Sequence, residues 1–366
     1  MRIGLDANPL CVRKGGVGHY ADCLIRALTK VAPEHQYVLY HQGEWTGPEA
    51  ALGEHVSDVR YWKPLLRWRI RRDHVDLYHG TNYKLPVRGL RGGIVTVHDL
   101  ALERHPEWSP SPWRQRSRER RTMRTLARAD GIITVSHHSA SDIAAYYGIP
   151  IEKITVVYNG ISDAFRPGVD PVQQARILDR YRIRKKGYLL FVGTLEPRKN
   201  LPTLLRAYAS RSTVRKEFQL ILAGGWGWQT SEIRDVLAEL DLTGDVTITG
   251  YLAPGSLMEL YRQAAAFVYP SFYEGFGFPP LEAMASGVPV VTSNTSCFPE
   301  VVGPAAVMVD PRDVEALGAA IERVLGDEHL REDLRNRGIA LAKRFTWEET
   351  ARRTVDVYRR VYEGAR

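Results

Sequence analysis

The chain alternates short apolar runs with longer stretches in which apolar residues recur every three or four positions. In the first half, the apolar runs occupy residues 3–5, 37–40, 77–79, 94–98, 131–135 and 154–158. In the second half, they occupy residues 188–192, 220–223, 246–249, 266–269, 288–292 and 306–309. Such runs, separated by amphipathic stretches such as 20–31, 139–147, 201–210 and 257–265, indicate βαβ units and parallel sheets.

The pattern occurs twice in 366 residues, which is too long for one ordinary domain. We predict an α/β protein with two Rossmann-like, doubly wound domains, residues 1–165 and 166–346, joined by a linker at 165–171. A last helix, 347–366, follows an N-cap at Thr346 with Glu349 as its capping-box partner, and it could pack back on the first domain. Doubly wound domains bind ligands at the carboxyl ends of their strands, so two facing domains predict a cleft between them.

Composition narrows the class of protein. The apolar fraction of 44% excludes wholesale disorder. Cys11, Cys23 and Cys297 have neither metal-ligand spacing nor a disulfide framework, which favours a reducing cytoplasm. The sequence shows no signal-peptide pattern and no apolar run long enough for a membrane span, which argues against secretion and membrane insertion.

The net charge of +8 is concentrated in the first half. The first 150 residues carry 22 Lys and Arg against 15 Asp and Glu, whereas the other 216 carry 28 against 27. Two halves with such different surfaces are expected to meet different partners.

The most informative segment is 271–287, which follows the apolar run 266–269. Gly277 allows close ligand approach, and Pro279 suits the first turn of a helix. A glycine loop that enters a helix presents free amides to a phosphate. Glu274 and Glu282 bracket this site, where carboxylates can accept hydrogen bonds from sugar and ribose hydroxyls.

Glu274 and Glu282, with seven residues between them in this frame, resemble the signature of the retaining glycosyltransferases of family 4, which have the GT-B fold. The resemblance extends over nearly the whole chain and includes segments 15–18, 96–99, 158–160, 193–200 and 223–225. It implies that Glu282 bonds the nucleotide ribose and that Glu274 bonds the transferred sugar. It also implies that the main chain contacts the donor at two places. The phosphates and sugar would lie against Phe276, Gly277 and Phe278, and the base would lie against Tyr251 and Leu252.

Two cations, Arg198 and Lys199, follow the apolar run 188–192. Fixed cations stabilise the negative charge that develops on a departing nucleoside diphosphate. The resemblance implies that Arg198 and Lys199 hold this diphosphate. Many relatives have an arginine where this chain has Thr194, and we expect Arg198 to take over that role.

The first domain carries the remaining candidates for chemistry. Gly15, Gly16 and Gly18 lack the spacing of a dinucleotide site, which argues against a dehydrogenase. The resemblance implies that this glycine loop approaches the donor phosphates. It also implies that His98, at the end of the run 94–98, touches the donor sugar near the reacting carbon. We expect Asp99 to orient the adjoining loop.

Two basic segments, 61–72 and 113–128, interleave arginines with tryptophan and leucine. Such a surface suits an anionic membrane, although a solvated helix face is the simpler interpretation. No nucleic-acid motif accompanies the arginines, so no nucleic-acid partner is expected. Because members of the resembled family act on lipid-linked acceptors, we favour peripheral contact with the inner face of the plasma membrane. The candidates for membrane or acceptor contact are Trp62, Arg67, Trp68, Arg71, Trp113, Arg114, Arg118 and Arg121.

The expected reaction is transfer of a hexosyl unit from a nucleotide sugar to a hydroxyl of a glycan or lipid-linked oligosaccharide. Segment 193–200 resembles that of bacterial mannosyltransferases of polysaccharide and O-antigen assembly, which favours GDP-mannose. The chain offers no obvious Asp or Glu nucleophile of the kind that retaining hydrolases use. The resemblance implies a same-face route with retention. It contains no Asp-x-Asp triplet, and with Arg198 and Lys199 present we expect neither a metal nor another cofactor.

Three alternatives remain at this point. The chain could be a UDP-sugar-dependent glucosyltransferase. It could be a sugar-nucleotide epimerase, which consumes its substrate without an acceptor, or a phosphorylase, which needs a pyridoxal lysine. It could also be a non-catalytic binding module, but such a protein has no need of Glu274 and Glu282.

Overall fold

The computed structural model describes residues 1–11, 15–44, 52–85, 92–168, 170–183 and 186–364. The chain forms two compact units. The first unit consists of Met1–Gly160 together with the C-terminal stretch that begins at Phe345, and the second unit is Ile161–Arg344.

The first unit contains a parallel sheet that, within the described residues, has seven strands in the order β3-β2-β1-β4-β5-β6-β7. The strands are β1 (Arg2–Asp6), β2 (Gln36–His41), β3 (Val56–Arg60), β4 (Leu77–Gly80), β5 (Gly93–Val97), β6 (Gly131–Thr134) and β7 (Ile154–Val156). Six of them overlap the predicted apolar runs, although the runs at β5, β6 and β7 extend one or two residues past the strand. The sequence pattern missed β3 because it lies at the sheet edge, where Ser57 and Asp58 are exposed.

Five helices of this unit connect the strands within the described residues. They are α1 (Gly16–Val31), α2 (Leu66–Arg72), α3 (Ala101–Arg104), α4 (Pro112–Leu126) and α5 (His137–Tyr147). Helix α1 begins four residues earlier than predicted, so Gly16 and Gly18 lie in its first turn and Gly15 is its N-cap. Gly15 has no side chain with which to cap the first amides, which leaves these amides directed out of the helix end.

The second unit contains a parallel sheet with, among the described residues, six strands in the order β10-β9-β8-β11-β12-β13. The strands are β8 (Gly187–Val192), β9 (Phe218–Ala223), β10 (Val246–Ile248), β11 (Ala266–Tyr269), β12 (Val290–Ser293) and β13 (Val307–Val309). All six overlap predicted apolar runs. Strands β8, β9, β11 and β12 are almost wholly buried, as expected for central strands of a parallel sheet.

The helices of the second unit fill the connections between these strands. They are α6 (Pro171–Arg180), α7 (Leu201–Ser210), α8 (Ser212–Glu217), α9 (Ser231–Glu239), α10 (Pro254–Gln263), α11 (Phe278–Ala285), α12 (Phe298–Val301), α13 (Val314–Gly326) and α14 (Glu328–Ala342). Helix α11 is the one predicted from Pro279, and Gly277 precedes it in a left-handed conformation with φ of 88°.

The last helix, α15 (Trp347–Gly364), packs against α1 in the first unit. The backbone amide of Glu349 donates to Thr346 Oγ1 at 3.2 Å, so Thr346 caps the helix. The reciprocal half of the capping box does not form, because the Glu349 carboxylate accepts hydrogen bonds from Arg352 and Arg353 instead.

The boundary between the units follows Gly160, a few residues before the predicted linker 165–171. The reason lies in Arg262, which donates to the carbonyl oxygens of Ala164 at 3.0 Å and Arg166 at 3.1 Å. The ring of Phe165 also packs edge-on against Tyr261. These contacts bind the start of the predicted linker to the second unit; its residue Val169 lies outside the described residues.

Candidate active site

The loop between β11 and α11 carries Glu274, and the turn after β8 carries Arg198 and Lys199. These three residues meet in the structure. Lys199 Nζ donates to Glu274 Oε1 at 2.5 Å, and Arg198 Nη1 donates to Glu274 Oε2 at 2.6 Å. The sequence predicted all three residues as parts of one site, and the structure brings them into direct contact.

Further groups, which the sequence did not single out, complete this cluster. Ser271 Oγ donates to Glu274 Oε1 at 2.8 Å, and Tyr269 Oη donates to the same oxygen at 3.1 Å. Glu196 accepts two hydrogen bonds from Arg198, at 2.8 and 3.1 Å. Two carboxylates therefore balance two cations. Glu196 lies in the quoted segment 193–200, two positions before Arg198, which is the signal that could have identified it.

The side chain of Glu274 is a permanent anion. It is only 8% exposed, and burial alone would raise its pKa. The charges of Arg198 and Lys199, together with the hydrogen bonds from Lys199 and Ser271, outweigh this effect and lower the pKa of Glu274 to about 2. The carboxylate can therefore accept hydrogen bonds at any physiological pH.

The main chain around Glu274 is fixed by Ser296. The amide of Glu274 donates to Ser296 Oγ at 2.9 Å, and Ser296 Oγ donates back to the carbonyl oxygen of Glu274 at 2.7 Å. Ser296 comes from the turn after β12, and no local pattern in the sequence connects it with Glu274.

Glu282 has the opposite electrostatic environment. It lies in α11, and its Oε2 accepts a 2.8 Å hydrogen bond from Tyr261 Oη. Burial raises the pKa of Glu282 to about 7, and the hydrogen bond from Tyr261 offsets only part of that rise. The two glutamates of the motif therefore differ in protonation behaviour because of what surrounds them.

The residues predicted to contact the donor through their main chain belong to the same unit. The rings of Phe276 and Phe278 contact each other edge to face, with centroids 5.4 Å apart. In the turn after β10, Tyr251 is 55% exposed while Leu252 is buried. Tyr251 follows Gly250, whose φ of 68° is a left-handed conformation that favours glycine.

In the first unit, His98 follows β5 and its ring is held in place. Its Nε2 lies 3.0 Å from the carbonyl oxygen of Thr81, so the ring carries its proton on Nε2. The ring of Tyr20 packs edge-on against it, with centroids 4.7 Å apart. Burial lowers the pKa of His98, so the ring is neutral at pH 7.

Asp99 shapes the loop after His98. Its amide donates to Tyr83 Oη at 2.8 Å, and Tyr83 Oη donates to its carbonyl oxygen at 2.9 Å. Asp99 Oδ1 accepts a 3.1 Å hydrogen bond from the amide of Ala101. These bonds close a tight loop at the end of β5.

A buried hydrogen-bonded chain connects α15 with the surroundings of His98. Tyr358 Oη lies 2.8 Å from His79 Nδ1, and His79 Nε2 lies 2.8 Å from Thr96 Oγ1. Thr96 Oγ1 in turn lies 2.9 Å from Tyr20 Oη. Burial lowers the pKa of His79 to about 3, so it is a neutral link in this chain. The sequence pattern indicated only a strand at His79, because its partners are remote along the chain.

The glycine positions before and within α1 face open space. A Cβ atom added to Gly15 or to Gly16 would have no neighbour within 4 Å among the described residues. The protein's own packing does not require glycine at these two positions. Gly18, one turn further, is buried in α1.

The basic segments place most of their candidate residues on the surface. Trp62, Trp68 and Trp113 are 70%, 55% and 77% exposed. The exposed arginines among the candidates are Arg67, Arg71, Arg114 and Arg121.

The structure corrects the prediction for Arg118, which was among the candidates for membrane or acceptor contact. It lies on the side of α4 that also carries the buried Gln115, Thr122 and Leu126. Its Nε lies 3.3 Å from Glu103 Oε1, and its guanidinium lies 4.6 Å from the centre of the Tyr83 ring. Arg118 therefore supports the loop that contains Asp99, and only 30% of its side chain is exposed.

The described residues contain no group of three or more His, Cys, Asp or Glu side chains that could hold a metal ion. Within the same residues, no helix combines the length and the apolar character that a membrane span requires.

Comparison with known sequences covers nearly the whole chain. Residues 14–165 match the family described as Glycosyltransferase Family 4, and residues 174–340 match the family described as Glycosyl transferases group 1. The O-antigen chain mannosyltransferase B of Escherichia coli is 39% identical, over 98% of this chain and 100% of its own. The O-antigen chain mannosyltransferase RfbU of Salmonella typhimurium is 30% identical, over 72% of this chain and 69% of its own.

Solved structures share the architecture. Sucrose-phosphate synthase from Thermosynechococcus elongatus has a TM-score of 0.80 at 21% identity, with 99% of both chains covered. WaaG, a glycosyltransferase involved in lipopolysaccharide biosynthesis, has a TM-score of 0.75 at 17% identity, with 98% of this chain and 99% of its own covered. Together with the two parallel sheets, these likenesses confirm the predicted GT-B fold with two Rossmann-like units.

Proposed function

Because the chain belongs to glycosyltransferase family 4, we propose that it transfers a mannosyl unit from GDP-mannose to a hydroxyl of a glycan or lipid-linked oligosaccharide. Glycosyl transfer is the activity of the family, so the chain is a glycosyltransferase. The O-antigen mannosyltransferases among its relatives support mannose as the sugar. The form of segment 193–200 supports GDP as its carrier.

The observation that carries the proposal is the position of the cluster of Arg198, Lys199 and Glu274 in the second sheet. Strands β8 and β11 are neighbours, and the chain leaves them in opposite directions, towards β9 and β12. Doubly wound sheets bind their ligands at such a reversal point, beyond the carboxyl ends of the two strands. Arg198 and Lys199 follow β8, and Glu274 follows β11. The charged cluster therefore occupies the place where a nucleotide sugar is expected.

Arg198 and Lys199 would bind the diphosphate of the donor. A bound diphosphate would replace some of the hydrogen bonds that Arg198 and Lys199 make to Glu274. A carboxylate oxygen of Glu274 could then accept a hydrogen bond from a sugar hydroxyl. Glu274 suits this role because its pKa of about 2 keeps it ionised. The amides at Phe276, Gly277 and Phe278 would complete the phosphate and sugar site.

We propose that the reaction proceeds with retention on one face of the sugar. The acceptor oxygen bonds to the anomeric carbon on the side from which the diphosphate leaves, and a departing phosphate oxygen takes the acceptor's proton. Lys199 and Arg198 stabilise the charge of the departing diphosphate. The neutral His98 contacts the sugar, and the protein contributes chiefly by holding both substrates in position.

Glu282 would bind the ribose. Its carboxyl group lies in the first turns of α11, eight positions after Glu274, and Tyr261 orients it through a hydrogen bond. The exposed Tyr251 and the main chain beside it would contact the base. The glycines at the start of α1 would allow the donor phosphates to approach, because no atom of the described residues would lie within 4 Å of a Cβ added to Gly15 or Gly16.

We also propose that transfer needs no metal ion, because Arg198 and Lys199 supply the positive charge that a divalent cation supplies elsewhere. The test is transfer in the presence of excess EDTA. We expect an unchanged rate, and a rate restored only by added Mg²⁺ or Mn²⁺ would contradict the proposal.

We place the reaction in the cytoplasm. Within the described residues, Cys11, Cys23 and Cys297 form no disulfide bond, as is usual in a reducing compartment.

The decisive experiment is a transfer assay with a mannose-terminated acceptor and either GDP-mannose or UDP-glucose as the donor. We expect an α-linked mannosyl product with GDP-mannose, identified by mass spectrometry and NMR, and no product with Glu274→Gln. Arg206→Gln, in an exposed ion pair with Glu239 on the same unit, is the matched control. Transfer from UDP-glucose alone, a β-linked product, or consumption of GDP-mannose without acceptor would each overturn the proposal.

A further inference from the structure

A buried hydrogen-bond network runs through the first unit and ends beside His98. It begins at Tyr358 of α15, whose Oη lies 2.8 Å from Nδ1 of His79 in β4. Nε2 of His79 lies 2.8 Å from Thr96 Oγ1 in β5, and Thr96 Oγ1 lies 2.9 Å from Tyr20 Oη in α1. The ring of Tyr20 packs edge-on against His98. This Tyr358–Tyr20 network therefore connects α15, β4, β5 and α1 to one histidine.

The network occupies positions where apolar side chains would serve the fold. All four of its side chains are buried, and His79 lies in β4, between β1 and β5. Burying an imidazole there costs free energy unless both of its nitrogens find partners. The neutral ring has one proton, so it donates to one neighbour and accepts from the other. A buried network satisfied in this way fixes one arrangement of its side chains, which suits it to hold a neighbouring ring in one orientation.

Helix α15 restrains Tyr20 at a second point. The ring of Trp347, at the start of α15, lies 6.2 Å from the ring of Tyr20, centre to centre. The same indole packs edge-on against His19, with centroids 6.0 Å apart. Tyr20 lies four positions after Gly16, so contacts that fix Tyr20 also fix the first turn of α1. Helix α15 thus holds both the ring and the hydroxyl group of Tyr20.

The ring that the network supports has two different nitrogens. Nε2 of His98 donates to the carbonyl oxygen of Thr81 at 3.0 Å. None of the described residues forms a hydrogen bond with Nδ1 of His98, so this nitrogen keeps its lone pair. In a neutral imidazole such a nitrogen accepts a hydrogen bond from a hydroxyl group. The direction of that lone pair depends on how the ring is turned.

We propose that the Tyr358–Tyr20 network holds the ring of His98 in the orientation needed for glycosyl transfer. Tyr20, Thr96 and His79 are then positioning residues, and α15 influences the reaction through Tyr358. The inference rests on the proposed function, in which His98 contacts the sugar of the donor. A network that served stability alone would need the packed volume of these side chains but would give their hydroxyl groups no influence on the rate.

The first test is transfer by Thr96→Val, which keeps the shape of the side chain and breaks the network in its middle. We expect kcat to fall about tenfold and the KM for the donor to change less than about twofold, because a turned ring is felt most in the transition state. Thr96→Ser restores the hydroxyl group and should recover most of the lost kcat. Tyr358→Phe breaks the network at α15 and should lower kcat about threefold.

The matched control is Thr354→Val. It removes another fully buried hydroxyl group of the same unit, which donates to the carbonyl oxygen of Thr350 at 2.7 Å and lies outside the network. We expect it to leave kcat unchanged. Rates are compared at a temperature at which thermal unfolding shows each variant to be folded. Should Thr96→Val fail to fold, Tyr358→Phe provides the same comparison from the far end of the network.

The second test needs no donor. Nitrogen NMR of the protein with isotope-labelled histidine should show one protonated and one bare nitrogen for His98, assigned by their loss in His98→Gln. In Thr96→Val the ring can turn away from Thr81, so the two signals should broaden or move towards each other. Thr96→Ser and Thr354→Val should keep the wild-type signals.

Each result bears on the proposal. Unchanged His98 signals or an unchanged kcat in Thr96→Val would overturn it, and so would an equal loss of kcat in Thr354→Val. If the wild type transfers no mannose, the proposed function fails, and the NMR comparison still decides whether the network holds the ring. If the wild type transfers mannose and Thr96→Val matches it, the positioning role alone fails.

Discussion

Lys199 and Glu274 lie 75 positions apart in the sequence, yet their charged groups form a 2.5 Å hydrogen bond inside the second unit. The bond connects the ends of two neighbouring strands, β8 and β11, at the point where the order of the sheet reverses. A charged pair buried at this place is poorly explained as a device for stability, because desolvation of both groups offsets much of their attraction. Its position favours a role in binding and transfer.

Removal of the Lys199 ammonium group should impair the reaction. We expect Lys199→Ala to lower kcat about 100-fold or more, because a fixed charge that stabilises the departing diphosphate is lost. The measurement is mannosyl transfer under saturating donor, with Arg206→Gln as the control on the same unit. Unchanged kcat in Lys199→Ala would show that the cluster does not act on the leaving group.

Donor affinity should depend on pH through Glu282. Its pKa of about 7 means that the carboxyl group is mostly protonated at pH 6 and mostly ionised at pH 8. Since ribose hydroxyls are bound by the ionised form, we expect GDP to bind more tightly as pH rises from 6 to 8. The terminal phosphate of GDP also ionises in this range, so calorimetry should give a smaller rise for Glu282→Gln than for the wild type. An equal rise in both proteins would contradict the assignment.

Glu282→Gln should also raise the thermal stability of the protein at pH 8. The folded-state pKa of Glu282 lies above the unfolded value of 4.5, so its ionisation disfavours the folded state. The contribution of the protonated Glu282 to the free energy of unfolding is fully present below about pH 4.5 and is lost as the pH rises through about 7. We therefore expect the variant to unfold at a higher temperature than the wild type at pH 8, and the difference to vanish near pH 4.5. The opposite order at pH 8 would show that Glu282 is held as an anion.

Arg118 should contribute to the stability of the fold, because it is the cation beside the buried carboxylate of Glu103. Arg118→Met leaves the carboxylate of Glu103 buried without a cation. We expect a loss of about 2 kcal/mol or more in the free energy of unfolding, below the roughly 3–5 kcal/mol of a fully buried pair because the Arg118 side chain is 30% exposed.

The loss in Arg118→Met should grow with pH. Burial raises the pKa of Glu103, so its protonated form is favoured in the fold and the cost appears as the pH rises. Urea unfolding at pH 5 and pH 8 measures both effects. The double variant Glu103→Gln, Arg118→Met should recover most of the loss, and the exposed neighbour change Arg116→Met should cause none. A deficit that is equal at both pH values would argue against this pairing.

Gly16 offers a test of ligand approach that is separate from folding. Gly16→Ala adds a methyl group in open space within the first turn of α1, so we expect an unchanged or slightly raised unfolding temperature. If donor phosphates approach here, the methyl group should raise the KM for the donor about tenfold or more. Gly244→Ala, which also faces open space but lies before β10, is the control. An unaltered donor KM would remove Gly16 from the donor site.

The sequence predicted those features that depend on local pattern. Strands buried on both faces produce continuous apolar runs, whereas β3 was missed because an edge strand exposes polar residues such as Asp58. Glu274 and Glu282 could be assigned because both lie in one short segment. Ser296, Tyr261 and Glu196 could not be assigned as their partners, since those contacts arise only when distant strands pair or a turn closes. The inward direction of Arg118 could not be predicted either, because it depends on which side of α4 packs against the rest of the unit.

The return of α15 to the first unit has a consequence for synthesis. Tyr358, which bonds His79, and Trp347, which packs near Tyr20, are made only after all of the second unit. During translation, the first 160 residues therefore leave the ribosome with α1 uncovered and His79 lacking one partner. The second unit, continuous in the chain, can finish folding first, and the first unit is completed only when α15 packs on α1.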